Sequence, residues 1–172
     1  MIDGNPGSDL VMSLDRCELH GLPERGVYAL IVEAPHDLSF EAGGLGAVEL
    51  SRGVYVYVGS AIGRRGSPLR RRVARHLSSD KRLRWHIDYL LASRVKVAAV
   101  VAAEATDRVE CRLVGSLIAL GLEPSVKGFG SSDCKCRAHL LKSPLSPERT
   151  ATLVCSALRG LGLTPRSMLI GR

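Results

Sequence analysis

The chain has 172 residues, which suits one domain with tails, and 45% of them are hydrophobic, enough for a real core resting on Leu, Val, Ile and Ala because only 4% are aromatic. It has no run of eighteen apolar residues, and its opening, MIDGNPGSDL, has neither the basic start nor the apolar stretch of a signal peptide, so a soluble cytoplasmic protein without a membrane partner is expected. The net charge of +7 is concentrated: residues 64–84 hold nine Arg or Lys against Asp80, a net +8, which leaves −1 for the rest and points to an anionic polymer or a phosphate-bearing ligand, unless the arginines form only a solvated helix face.

Residues 1–23 mix Gly, Pro, Asp and Ser with little periodicity and predict a flexible arm. GVYALIVEA (26–34) predicts a strand ended by Pro35, LSFEAGGLGAVEL two short strands around a Gly-rich turn, and GVYVYVG (53–59) a further strand. Pro68 stands where a helix would begin, and Leu69, Val73 and Leu77 recur at helical spacing, which predicts a helix over about 69–78. RLRWHIDYLLAS predicts a second short helix and VKVAAVVAAEA (95–105) a buried strand. Val109, Leu113, Leu117 and Leu120 form one helical face stopped by Gly121. The turn-rich GFGSSDCKCRAHLL (128–141) follows, then SPLSPE as a linker and RTATLVCSALRGLGL as an added helix. The order of elements predicts an α/β or α+β domain over 24–142 with a small, mainly antiparallel three-stranded sheet, an inserted strand pair and a C-terminal helical extension over 143–172.

Helical geometry separates the arginines. With Leu69, Val73 and Leu77 inward, Arg72 and His76 share the flank of the apolar face, whereas Arg71 and Arg75 point the opposite way. A flanking Arg72 could fix a phosphate with paired N–H donors, or merely run its stem along the apolar edge. Glu110 also lies on a flank, near a helix start, where it could offer a carboxylate to a divalent cation. The simpler account is a capping box with Asp107 three residues earlier.

Five cysteines without framework spacing fit free thiols or a metal site in a reducing compartment better than disulfides. Cys134, Cys136 and His139 supply soft ligands at close spacing, with Asp133 or Cys111 as a candidate fourth for Zn2+, and free thiols packed as small hydrophobes as the simpler alternative. Ser131, Ser132 and Asp133 could line a site. Trp85 is expected to anchor the core rather than stack on a base, and His86 and Asp88 are candidates for the edge of a site.

Gly26-Val27-Tyr28 on one strand, Tyr57-Val58-Gly59 on the next, an arginine on the following helix and a glutamate opening a later one resemble the GIY-YIG nuclease superfamily. YVYVGSA, RHL, WHIDYL and GFGSSDCKC followed by HL resemble its stand-alone Uri branch in particular, over residues 24–142. The resemblance implies a metal-dependent endonuclease that hydrolyses phosphodiester bonds in DNA with one Mg2+ or Mn2+; RNA and a homodimer are left open, and a non-catalytic nucleic-acid-binding module is the rival. It implies Glu110 as the metal ligand, Tyr28 and Tyr57 as the paired tyrosines beside the attacking water, Arg72 on the scissile phosphate with Arg75 as a possible substitute, and His76 where the family often has His or Tyr. Arg64, Arg65, Arg71, Arg75, Lys81 and Arg84 would hold the nucleic acid. Ser60 stands where many members carry Lys, so that one phosphate contact is either missing or supplied by Arg64 or Arg65.

Overall fold

In the computed structural model, which describes residues 19–63 and 68–170, GVYALIVEA forms the strand β1 (Gly26–Ala34). Strand alternation sends Tyr28, Leu30 and Val32 into one apolar cluster and Val27, Ala29 and Ile31 into another, so β1 is buried on both faces. After the hairpin of β2 (Leu38–Glu41) and β3 (Ala47–Leu50), which forms its own two-stranded sheet, β4 (Gly53–Ala61) runs antiparallel along β1. The alanine-rich segment forms β5 (Lys96–Glu104) on the other side of β1; its small side chains let helices approach the sheet closely.

These three strands are the centre of a wider sheet than the three-stranded one expected. The order is β6-β7-β4-β1-β5-β8, with β6 (Glu123–Pro124), β7 (Leu140–Ser143) and β8 (Pro165–Leu169) added at the edges, every ladder antiparallel. The molecule is thus α+β, with a mainly antiparallel sheet and an inserted strand pair.

Among the described residues, four α-helices cover the sheet. α1 (Leu69–Leu77) and α2 (His86–Leu91) place Leu69, Val73, Ile87 and Leu90 in the cluster that holds Tyr28 and Tyr57. On the opposite face α3 (Glu110–Ala119) contributes Leu113, Val114 and Leu117, and α4 (Pro147–Gly160) contributes Val154, Cys155 and Leu158. Leu120 does not join the α3 stripe: it caps the helix half-exposed, and Val114 takes its place in the core.

The chain after residue 142 is built into this core. The segment expected as a linker instead starts α4: Ser146 is the N-cap, its hydroxyl accepts from the Arg149 N–H at 3.3 Å, and Pro147 opens the first turn. Such a cap is worth about 1 kcal/mol, and proline fits there because its missing N–H would have had no helical partner. The boundary expected at 142/143 falls within β7. Of the expected N-terminal arm, residues 1–18 lie outside the described residues, whereas Leu19 and Leu22 are buried in the core and Arg166 of β8 donates to the Gly21 carbonyl at 2.8 Å. Among the described residues, no helix is long and apolar enough to cross a membrane.

Candidate functional site

Tyr28 and Tyr57 project from neighbouring strands on the face covered by α1 and α2, their ring centroids 6.5 Å apart. Register explains the glycine of the second strand motif. Gly59 sits opposite Tyr28, and a Cβ there would come within 2.6 Å of the Tyr28 ring and hydroxyl. Gly130 does the same for the second tyrosine: it adopts φ +71°, and a Cβ would lie 2.9 Å from Tyr57 Cε2. Burial raises the pKa of both tyrosines well above its ordinary value, so both stay protonated.

Helix α1 faces this wall with His76, which is buried. His76 Nε2 lies 2.9 Å from the Tyr28 hydroxyl and Nδ1 lies 3.1 Å from Asp88 Oδ1. Burial pushes the Asp88 carboxyl up, but donors outweigh it and hold its pKa below the usual value: the backbone N–H groups of Trp85 and Arg84, each at 3.0 Å, then Arg75 Nη1 at 2.9 and 3.0 Å, and His76. An ionised Asp88 accepts a hydrogen bond from Nδ1–H, so Nε2 is an acceptor and Tyr28 donates to it. Burial lowers His76 to about 4, against the pull of Asp88, and the ring is therefore neutral at ordinary pH.

Arg72 and Glu110 close a cavity of about 350 Å³ that Tyr28, Tyr57, Trp85 and Asp133 also line. Arg72 Nη1 donates to the Ser60 carbonyl at 2.5 Å, which aims the guanidinium, while its Nε is buried without a partner. Glu110 is equally unusual. Its Oε1 lies 3.3 Å from Arg108 Nε, but Oε2 is buried and unpartnered. The expected capping box with Asp107 is not formed, because Val109 is the N-cap and Glu110 already belongs to the first turn. A buried polar atom left without a partner costs about 1–3 kcal/mol, and more when charged. Two residues of opposite charge, each with such an atom, thus line one cavity.

The basic residues divide. Arg71 and Arg84 are exposed, and Arg84 borders the cavity. Arg75 does not point away as expected: it is turned onto Asp88 and lies 4.5 Å over the Trp85 ring, because a buried carboxylate must be paired. Lys81 is spent on the end of α1, donating to the carbonyls of His76 and Ser78 at 2.6 and 2.7 Å. Arg64 and Arg65 lie outside the described residues. Trp85 packs against the core yet also lines the cavity, with the guanidinium groups of Arg72 and Arg84 each 5.3 Å from its ring centre. His86 accepts from the Gly130 N–H at 3.0 Å, tying α2 to the loop that holds Tyr57 in place.

Sequence reasoning missed the Ser60 carbonyl and Arg108 as aligning groups, since a backbone acceptor and an exposed arginine carry no pattern. The place of Asp88 beneath His76 did have a signal: an acid three residues after Trp85, in the first turn of a short helix.

Behind Glu110, the ligand atoms of Cys111, Cys134, Cys136 and His139 lie within 4.8 Å of one another. Cys111 completes this set; Asp133, the other candidate, is paired with Arg108 at 2.8 Å.

Residues 27–162 match the model of the family described as Domain of unknown function DUF123, and the chain belongs to that family. Neither the curated proteins nor the solved structures yield a match.

Proposed function

We propose that this DUF123 chain is a GIY-YIG-type endonuclease that hydrolyses phosphodiester bonds in DNA with a divalent cation. One observation carries the proposal: Glu110 and Arg72, each with a buried and unpartnered polar atom, Oε2 and Nε, line the same cavity as Tyr28 and Tyr57. A single carboxylate in a polar cavity fits Mg2+ or Mn2+, because such ions are commonly held by one or two carboxylates and the phosphate of the substrate. Bound there by Glu110, the ion would lower the pKa of a water and offset charge developing on phosphate oxygens.

The remaining work falls to the chain's own groups. Arg72, with one nitrogen anchored on the Ser60 carbonyl, presents its Nε–H to a non-bridging phosphate oxygen. Tyr28 donates to His76, so its oxygen lone pairs are free to accept a proton from the attacking water as its own proton passes to His76 Nε2. Asp88 holds the ring in the tautomer that makes this transfer feasible and stabilises the imidazolium that results. The water oxygen bonds to phosphorus and the P–O bond to the leaving nucleotide breaks. Arg84, exposed at the cavity, and Arg71, exposed on α1, supply the salt-dependent grip on the strand.

The test is cleavage of labelled single-stranded, duplex and branched DNA by wild type and Glu110→Gln, with magnesium, manganese or chelator. Metal-dependent cleavage by the wild type, reduced at least about a hundredfold in the variant with binding retained, is the expected result. Tight binding without cleavage by either protein would replace the nuclease with a nucleic-acid-binding module.

A further inference from the structure

Three thiols and an imidazole converge on one point from separate parts of the chain. Cys111 is in the first turn of α3, Cys134 and Cys136 belong to the turn-rich loop, and His139 precedes β7. Cys134 Sγ and Cys111 Sγ lie 3.3 and 3.8 Å from His139 Nε2. Tetrahedral bonds of about 2.3 Å to sulfur and about 2.0 Å to nitrogen place ligand atoms roughly 3.5–3.8 Å apart. The two contacts to His139 are close to this, and all four ligand atoms lie within 4.8 Å, a cluster that a metal ion can draw into its shell.

The histidine is set for this use. Its Nδ1 donates to the Val58 carbonyl at 3.2 Å, which leaves the Nε2 lone pair toward the sulfurs, the arrangement that orients a metal-ligating imidazole. A cysteine kept only as a small hydrophobe looks different: Cys155 is buried in α4, whereas Cys134 is partly exposed with its Sγ turned to His139, and Cys136 packs against the core. A disulfide would use two of the thiols and leave a third and the imidazole without a role.

We propose that Cys111, Cys134, Cys136 and His139 bind one zinc ion in a closed tetrahedral site, which fixes the first turn of α3 against the strand that carries Tyr57. Soft thiolates with one imidazole select zinc over magnesium, and four protein ligands leave no open position, so the ion is structural. Its reach follows from the chain: Cys111 adjoins Glu110, and His139 is tied to Val58 twice, because the Val58 N–H also donates to the His139 carbonyl at 2.9 Å. The zinc site stands apart from the nuclease proposal; only its consequence for Glu110 rests on it.

The experiment is metal analysis of full-length protein purified under reducing conditions without chelators, followed by exchange into cobalt(II). About one zinc per chain is expected, and the cobalt form should show thiolate-to-metal charge-transfer bands and the strong d–d bands of a tetrahedral ion. Cys111→Ser and Cys134→Ser should each weaken cobalt binding more than tenfold, while Cys155→Ala should bind as wild type. Folded wild type that contains no zinc and gives no thiolate bands on cobalt titration would overturn the proposal. So would a disulfide among these cysteines under the same conditions, or equal loss in the Cys155 variant. Absence of nuclease activity with zinc present would count against the nuclease proposal alone.

Discussion

At the scale of single residues, the site depends on what is missing as much as on what is present. Gly59 has no side chain because the Tyr28 ring occupies the space of one, and Gly59→Ala must displace the ring that donates to His76. Overpacking of this kind costs about 1–3 kcal/mol. We expect Gly59→Ala to keep the fold with a lowered melting temperature and, under the proposed nuclease function, to reduce kcat at least about tenfold with KM for DNA little changed in steady-state assays. Wheel geometry in the sequence placed Arg72 and His76 on a common flank, and the structure sets both beside the tyrosines. It could not show Arg75 folding back, because Asp88, the carboxylate it answers, comes from another helix thirteen positions on. Nor could it show Glu110 Oε2 unpartnered: a cap and a ligand have the same sequence signature, and only the position of Val109 as N-cap separates them.

At the scale of elements, α1 docks on the sheet through a neutral histidine. Burial lowers His76 to about 4, whereas an unfolded histidine titrates near 6.5. Between these values the unfolded chain binds the proton first, so the stabilisation is complete above about pH 6.5 and is lost as pH falls toward 4. Asp88, Arg75, Lys81 and Tyr28 surround the ring; among them the cations disfavour its protonation and Asp88 favours it. Urea midpoints measured from pH 7 to 4 should therefore decline more steeply in wild type than in His76→Gln, by up to about 3 kcal/mol for the shift involved. The long elements were readable, since nine residues of β-branched and aromatic character or a repeated apolar spacing leave little choice. The strands β7 and β8 were not. They are four and five residues long, mix polar with apolar positions, and form only because an edge of the central sheet offers them partners.

At the scale of the whole molecule, the sheet is covered on both sides, and the second cover comes from the end of the chain. α4 buries Ala151, Val154, Ala157 and Leu158 against the face formed by Val27, Ala29, Ile31 and Val101. A chain cut after residue 142 would expose that face, so it should be aggregation-prone and lack a cooperative urea transition, whereas a chain cut after residue 163 loses only an edge strand and should still unfold cooperatively. Circular dichroism across a urea series distinguishes the two. Composition hid this dependence: Ser-Pro-Leu-Ser-Pro-Glu has the residues of a linker, yet Ser146 and Pro147 there are also the opening of a helix.

The position of β1 has a mechanical consequence. It is hydrogen-bonded along nearly its whole length to β4 on one side and β5 on the other, and it is shielded above and below. Its amides should be among the slowest in the molecule to exchange with deuterium, opening only when everything opens. Tyr28 is therefore carried by a stiff strand, and the loop bearing Gly130 and Asp133 is anchored beside it by the buried Phe129, by the Gly130 N–H to His86 and by Asp133 paired with Arg108.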